Sequence, residues 1–85
     1  MKEIKYVLKN PLGIHARPAG QMVKIATGCK CDITISTSVR TANAKRIIGI
    51  MALGPKQGDE ITFTFSGEDE EEAAAAIKEF LVKNL

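Results

Sequence analysis

The sequence has no tryptophan, one tyrosine and three phenylalanines, so aromatic residues make up only 5% of it. So little ring surface leaves few platforms on which nucleic-acid bases could stack. Its two cysteines, Cys29 and Cys31, are two positions apart. On an extended segment they share a face but lie too far apart along the chain for an unstrained bridge, so reduced thiols are expected. A metal site would need further ligands, and the chain has a single histidine and no third cysteine to supply them; neither metal nor cofactor is expected. No apolar run approaches the about 20 residues that cross a bilayer. Charged residues interrupt the opening MKEIKYVLKN, which does not read as a signal peptide. A cytoplasmic protein without membrane insertion is expected.

The 85 residues leave too little chain for a second core, so residues 1–85 read as one domain. A hydrophobic share of 45% with 26% charged residues excludes intrinsic disorder and fits a soluble globular chain. No repeat, linker or low-complexity tract interrupts it.

The formal charge of +2 conceals two poles. Residues 1–46 carry nine Lys or Arg against two acids, Glu3 and Asp32, whereas residues 47–85 carry three lysines against eight acids. Five of those acids form the run from Glu68 to Glu72 ahead of an alanine-rich segment. Carboxylates there meet the positive end of a helix dipole, which is a structural reason for the acidic pole. The basic half has no such reason and is suited to an anionic partner.

Ile4, Tyr6 and Leu8 alternate with Lys5, Val7 and Lys9 as in a half-buried strand, and Asn10-Pro11-Leu12-Gly13 breaks it. From Ala16 to Thr27, Ala19, Met22, Val23 and Ala26 recur at helical spacing. Gly20, Gln21 and Lys24 take the other side, Gly28 supplies the stop, and Pro18 marks the first turn, where an amide has no intrahelical acceptor to lose. Cys31, Ile33 and Ile35 begin a second strand, Ser36-Thr37-Ser38 turns the chain, and a third strand is expected over Val39–Asn43. Ile47–Leu53 is too apolar for a loop and reads as two helical turns; one face cannot bury all of it, so some of Ile47, Ile48 and Met51 should be exposed. Ile61, Phe63 and Phe65 point inward from a fourth strand, and Ala73, Ala74, Ile77, Phe80 and Leu81 from a last helix. The order βαββαβα, with strands polar on one face, predicts an α+β open-faced β-sandwich: a four-stranded, mostly antiparallel sheet with three helices on one face.

The only histidine, His15, stands where a glycine-containing loop meets the start of that first helix. Free amides at a helix N-terminus carry the positive end of its dipole, so the amides of Ala16 and Arg17 with the Arg17 guanidinium form a candidate phosphate cradle. A neutral imidazole beside it can accept a phosphoryl group covalently. Histidine is a poorer N-cap than Ser, Asp or Asn, so its presence there points to chemistry rather than capping.

The stretch Gly13-Ile14-His15-Ala16-Arg17-Pro18-Ala19 resembles the active-site signature of HPr, the histidine-containing phosphocarriers of the bacterial phosphoenolpyruvate-dependent sugar phosphotransferase system. The resemblance spans the chain, because Asn43-Ala44-Lys45, Ile48 to Gly54 and Gly58-Asp59-Glu60-Ile61 fall where the family has its second signature and fourth strand. It implies that His15 accepts a phosphoryl group at Nδ1 from enzyme I and passes it to a sugar-specific enzyme IIA, with Arg17 neutralising the charge. Such a protein is a substrate of its partners rather than an enzyme, and a monomer is expected. The family's docking surface would here use Gly20, Lys24 and Thr27 on the first helix and Ile47, Ile48 and Met51 on the second. Many members from low-GC Gram-positive bacteria carry a regulatory serine just before the short helix. Here that position is Arg46, which cannot accept phosphate, so either the serine switch is absent or the surface is tuned to a different partner. The alternative is an HPr-like regulatory module that binds a transcription factor or enzyme without sugar phosphotransfer. Nucleic-acid binding is disfavoured, since Tyr6, Phe63 and Phe65 occupy inward-facing strand positions.

Overall fold

The computed structural model describes residues 1–85. Its elements are β1 (Lys2–Val7), α1 (Ala16–Thr27), β2 (Asp32–Ser36), β3 (Thr41–Asn43), α2 (Ile47–Leu53), β4 (Glu60–Ser66) and α3 (Glu70–Asn84). The strands form one sheet in the order β1-β4-β2-β3, and every neighbouring pair is antiparallel. The architecture is the open-faced sandwich expected from the alternation.

Register explains why one face is dry. Phe63 lies opposite Ile4 on one side and Ile35 on the other, Phe65 opposite Ile33, and Ile61 opposite Tyr6. With a side-chain period of two, this pairing gathers the apolar residues on one face and leaves Thr34, Thr62 and Thr64 on the other. Ala19, Met22 and Ala26 of α1, Ile50 of α2, and Ala73, Ala74, Ile77, Phe80 and Leu81 of α3 complete a core with no buried polar side chain. Phe63 is fully buried, and truncating such a residue to alanine costs about 3–5 kcal/mol.

Three local expectations change. The third strand is shorter than Val39–Asn43, covering only Thr41–Asn43. Val39 is 81% exposed because the turn extends to Arg40, whose carbonyl accepts the Thr37 N–H at 2.8 Å. Leu8 lies beyond β1, yet it is buried and pairs with the loop before β4, donating to Asp59 O at 3.0 Å and accepting from Gly58 N–H at 2.8 Å. Gly28 ends α1 with ordinary right-handed backbone, φ −77° and ψ −8°. The last turn closes instead by tightened bonds, Gly28 N–H to Ile25 O and Cys29 N–H to Ala26 O.

The acidic run has a more specific job than favouring the dipole. Glu70, Glu71 and Glu72 do occupy the first turn of α3. Asp69, one residue earlier, accepts the Lys30 and Cys31 backbone N–H groups, each at 2.8 Å, and so ties the start of α3 to the turn between α1 and β2. Those backbone donors, the Lys30 amide foremost, hold its carboxyl below the usual value. Beside this junction Gly67 has φ +150°, and a Cβ on it would lie 2.7 Å from both Cα and Cβ of Cys31. Burial, reinforced by the Asp69 carboxylate, pushes the Cys31 thiol up to about 11, so it stays protonated at neutral pH and unreactive. Both cysteines are free thiols.

A depressed carboxyl pKa adds stability above its unfolded value that is lost as pH falls through its folded one. Thermal stability should therefore fall progressively as pH drops below the ordinary value of 3.8. Asp69→Asn should melt lower than wild type at pH 7 and lose less on acidification; equal acid sensitivity of the two proteins would contradict the assignment.

Candidate functional site

His15 is the N-cap of α1, with extended backbone at φ −112° and ψ −178° and no capping bond from its side chain. Its carbonyl accepts the Ala19 N–H at 3.0 Å, which closes the first helical turn. Pro18 has no N–H to offer. The amides of Ala16 and Arg17 are left without acceptors in the protein, aimed outward beside a half-buried imidazole.

The loop that delivers His15 is fastened at several points. Asn10 Oδ1 accepts the Leu12 N–H at 2.9 Å, and the Asn10 carbonyl accepts the Gly13 N–H at 2.9 Å. Gly13 then turns with φ +63°, packed so closely on the loop after α2 that a Cβ would overlap the Pro55 carbonyl and sit 2.8 Å from Lys56 Cα. Ile14 is buried and donates its N–H to the same Pro55 carbonyl at 3.3 Å. Residues 13 and 14 thus anchor the chain immediately before His15.

A shallow depression here is lined by Asn10, His15, Arg17, Pro18, Gln21 and Asn84. Arg17 is exposed, and its guanidinium has no acidic partner, since the chain's two ion pairs are Met1 ammonium with Glu70 and Lys83 with Glu79. Two free amides and a free guanidinium around an imidazole suit a tetrahedral dianion. A second cleft, lined by Thr37, Ser38, Val39, Leu53, Asp59, Glu60 and Thr62, holds two carboxylates and no cation, and so repels the same ligand. No three His, Cys, Asp or Glu side chains are gathered as metal ligands.

Of the residues expected on a docking surface, Gly20, Lys24 and Thr27 run along one stripe of α1, with Thr27 Oγ1 donating to Lys24 O at 3.1 Å. Helix α2 meets that stripe at Gly20, where an added Cβ would lie 3.8 Å from Ile47 Cδ1. Ile47, Ile48 and Met51 are 40%, 82% and 42% exposed while Ile50 is fully buried. The structure therefore sets α2 against α1 where Gly20 meets Ile47, with Ile48 and Met51 exposed on the same short helix. The sequence did not point to the end of α3. Leu85 is buried, its carbonyl accepts the Lys9 and Asn10 N–H groups, and Asn10 Nδ2 donates to Asn84 O at 3.2 Å. Asn10-Pro11 was visible as a turn, but no pattern in residues 84 and 85 announces that they brace the histidine loop.

The family model described as the phosphorylation site of the HPr component of the phosphotransferase system matches residues 2–83. The chain belongs to the HPr family. It is 42% identical over 83 residues to the phosphocarrier protein HPr of Lysinibacillus sphaericus, spanning 98% of this chain and 94% of that one. With HPr of Mycoplasma pneumoniae it shares 47% identity over 85 residues, 99% and 97% of the two chains. A crystal structure of HPr from Thermoanaerobacter tengcongensis superposes with a TM-score of 0.92 at 38% identity, covering 98% of this chain and 93% of that one. Crh, the catabolite repression HPr of Bacillus subtilis, is more distant, with a TM-score of 0.77 and 30% identity over 100% of this chain and 98% of that one. An HPr of this kind is a phosphocarrier of the sugar phosphotransferase system.

Gly13→Ala should be destabilised by about 2–4 kcal/mol, from a left-handed residue with a side chain plus overlap with the Pro55 backbone. Urea unfolding gives the loss, and the His15 ring resonances should shift with it. An unperturbed Gly13→Ala protein would mean that this contact does not hold the HPr histidine loop.

Proposed function

We propose that His15 is the phosphoryl acceptor, taking the group at Nδ1 from phosphorylated enzyme I and giving it to an enzyme IIA of the sugar phosphotransferase system. The observation that supports this reading is the His15 imidazole beside the free amides of Ala16 and Arg17 and the unpaired Arg17 guanidinium. The Nδ1 lone pair attacks phosphorus while Nε2 keeps the proton. An N–P bond forms at His15 as the N–P bond on the donor histidine breaks, and the reverse geometry serves onward transfer. No group on this chain needs to move a proton, so its contribution is positioning and charge stabilisation. Arg17 meets the charge that develops on the phosphoryl oxygens. The chain acts as a substrate of its partners rather than as a catalyst, and as a cytoplasmic monomer.

Gly20, Lys24, Thr27, Ile47, Ile48 and Met51 form the docking surface in this reading. An apolar centre rimmed by cations fits partners with an acidic rim, and the same surface serves both partners in turn.

Incubation with labelled phosphoenolpyruvate and enzyme I should give an acid-labile, alkali-stable phosphoprotein, and adding enzyme IIA should discharge it. His15→Ala should take no label; label on that variant would defeat the assignment, and a label that never moves onward would favour the regulatory module. Arg17→Ala should still be labelled, about 10²- to 10³-fold more slowly, as expected when one group stabilising transition-state charge is removed.

A further inference from the structure

Arg46 is a residue that the fold itself disfavours. It is the N-cap of α2, with the extended backbone of a cap, φ −123° and ψ 112°, but its side chain makes no capping bond. Its carbonyl does the ordinary work of the position, accepting the Ile50 N–H at 3.2 Å. The amides of Ile47, Ile48 and Gly49 are left without acceptors, where a serine or aspartate oxygen would have satisfied one. A cation there also faces the positive end of the helix dipole. No acid offsets it, because both ion pairs of the chain lie elsewhere, and the side chain is exposed.

Its neighbours give that side chain an outward role. Ile47 and Ile48, the next two residues, are 40% and 82% exposed, and Met51 on the same short helix is 42% exposed. Gly20 of α1, which abuts Ile47 Cδ1, is flanked on its own helix by Arg17 three residues before and Lys24 four residues after. Neither has an acidic partner. Lys45, by contrast, is spent internally, donating from Nζ to the Cys29 carbonyl at 2.9 Å. The exposed apolar patch therefore has free cations on the α1 side, and Arg46 adds one at the α2 end.

We infer that Arg46 is a rim residue of the docking surface, there to attract carboxylates on the partner protein around an apolar centre, at a cost to the stability of α2. This rests on the phosphocarrier reading and deepens it by adding a specificity-determining residue. A rim charge acts through association and is screened by salt, whereas a cap acts on the fold. The two effects therefore separate in one substitution.

The test compares wild type, Arg46→Ser and Arg46→Lys as substrates of the enzyme I that phosphorylates the wild-type chain, with thermal unfolding in parallel. Arg46→Ser should melt about 4–8 °C higher, the gain of one helix cap in a domain of this size. Its KM at about 0.1 M salt should nonetheless rise about three- to tenfold with kcat unchanged, as a lost rim charge slows association. Near 1 M salt, where the Debye length falls from about 10 Å to about 3 Å, the difference should vanish. Arg46→Lys should keep the wild-type KM. An unchanged KM for Arg46→Ser, a difference that persists at high salt, or an Arg46→Lys protein that behaves like Arg46→Ser would each overturn the inference while leaving the phosphocarrier reading intact. Sedimentation of the wild-type chain alone covers the other occupant: a dimer that Arg46→Ser dissolves would assign the patch to self-association instead. A wild-type chain that takes no label would remove both readings together.

Discussion

The structure depends on β4 being buried on one side only. It runs between β1 and β2, and its three inward residues, Ile61, Phe63 and Phe65, are the surface on which the rest of the core is laid. Its outward residues, Glu60, Thr62, Thr64 and Ser66, are polar and none is buried. A central strand with one apolar face forces the helices onto the same side. The connections between strands must then rise and return at the ends of the sheet, where loops meet one another. The loop before α1 and the loop after α2 meet in this way, at Gly13 and Pro55. The histidine is held by that meeting, so its placement is a distant product of the alternation in one strand.

Periodicity carried most of this. The residues of α1, the buried alternation of β2 and β4, and the exposure of Ile47, Ile48 and Met51 follow from spacing of two or of 3.6, and the structure agrees. What periodicity could not carry depended on contacts between segments distant in sequence. The paired residues of β3 stop at Thr41 because β2 offers partners only from Thr34 to Ser36, and Val39 is left in the turn. Leu8 is buried through bonds to Gly58 and Asp59, about fifty positions away. Asp69 read as one more acid near a helix start, whereas its carboxylate closes a junction with Lys30 and Cys31. At the candidate site, the grouping of His15, Ala16 and Arg17 was legible because all three lie at one helix end. The bracing by Asn10, Asn84 and Leu85 was not, because the two ends of the chain meet only once it is folded.

The separation of charge acquires a spatial meaning. Three of the acids are engaged in holding α3: Asp69 on two amides, Glu70 on the Met1 ammonium and the Gly67 amide, and Glu79 on Lys83. Several cations of the basic half, Arg17, Lys24 and Arg46 among them, have no partner within the protein. These open cations are exposed to whatever anionic surface the chain meets, and the near-zero total conceals this.

Pro18 bears on the proposed reaction in a further way. By removing one of the first-turn amides it leaves the depression with two backbone donors rather than three. A relay differs from a receptor in that tight capture would defeat it: each additional bond to a bound phosphoryl group deepens the well from which the next acceptor must lift it. In the proposed reaction a shallow, half-furnished cradle would hold the phosphoryl group less tightly than a full ring of amides, which suits a carrier that must give the group up again.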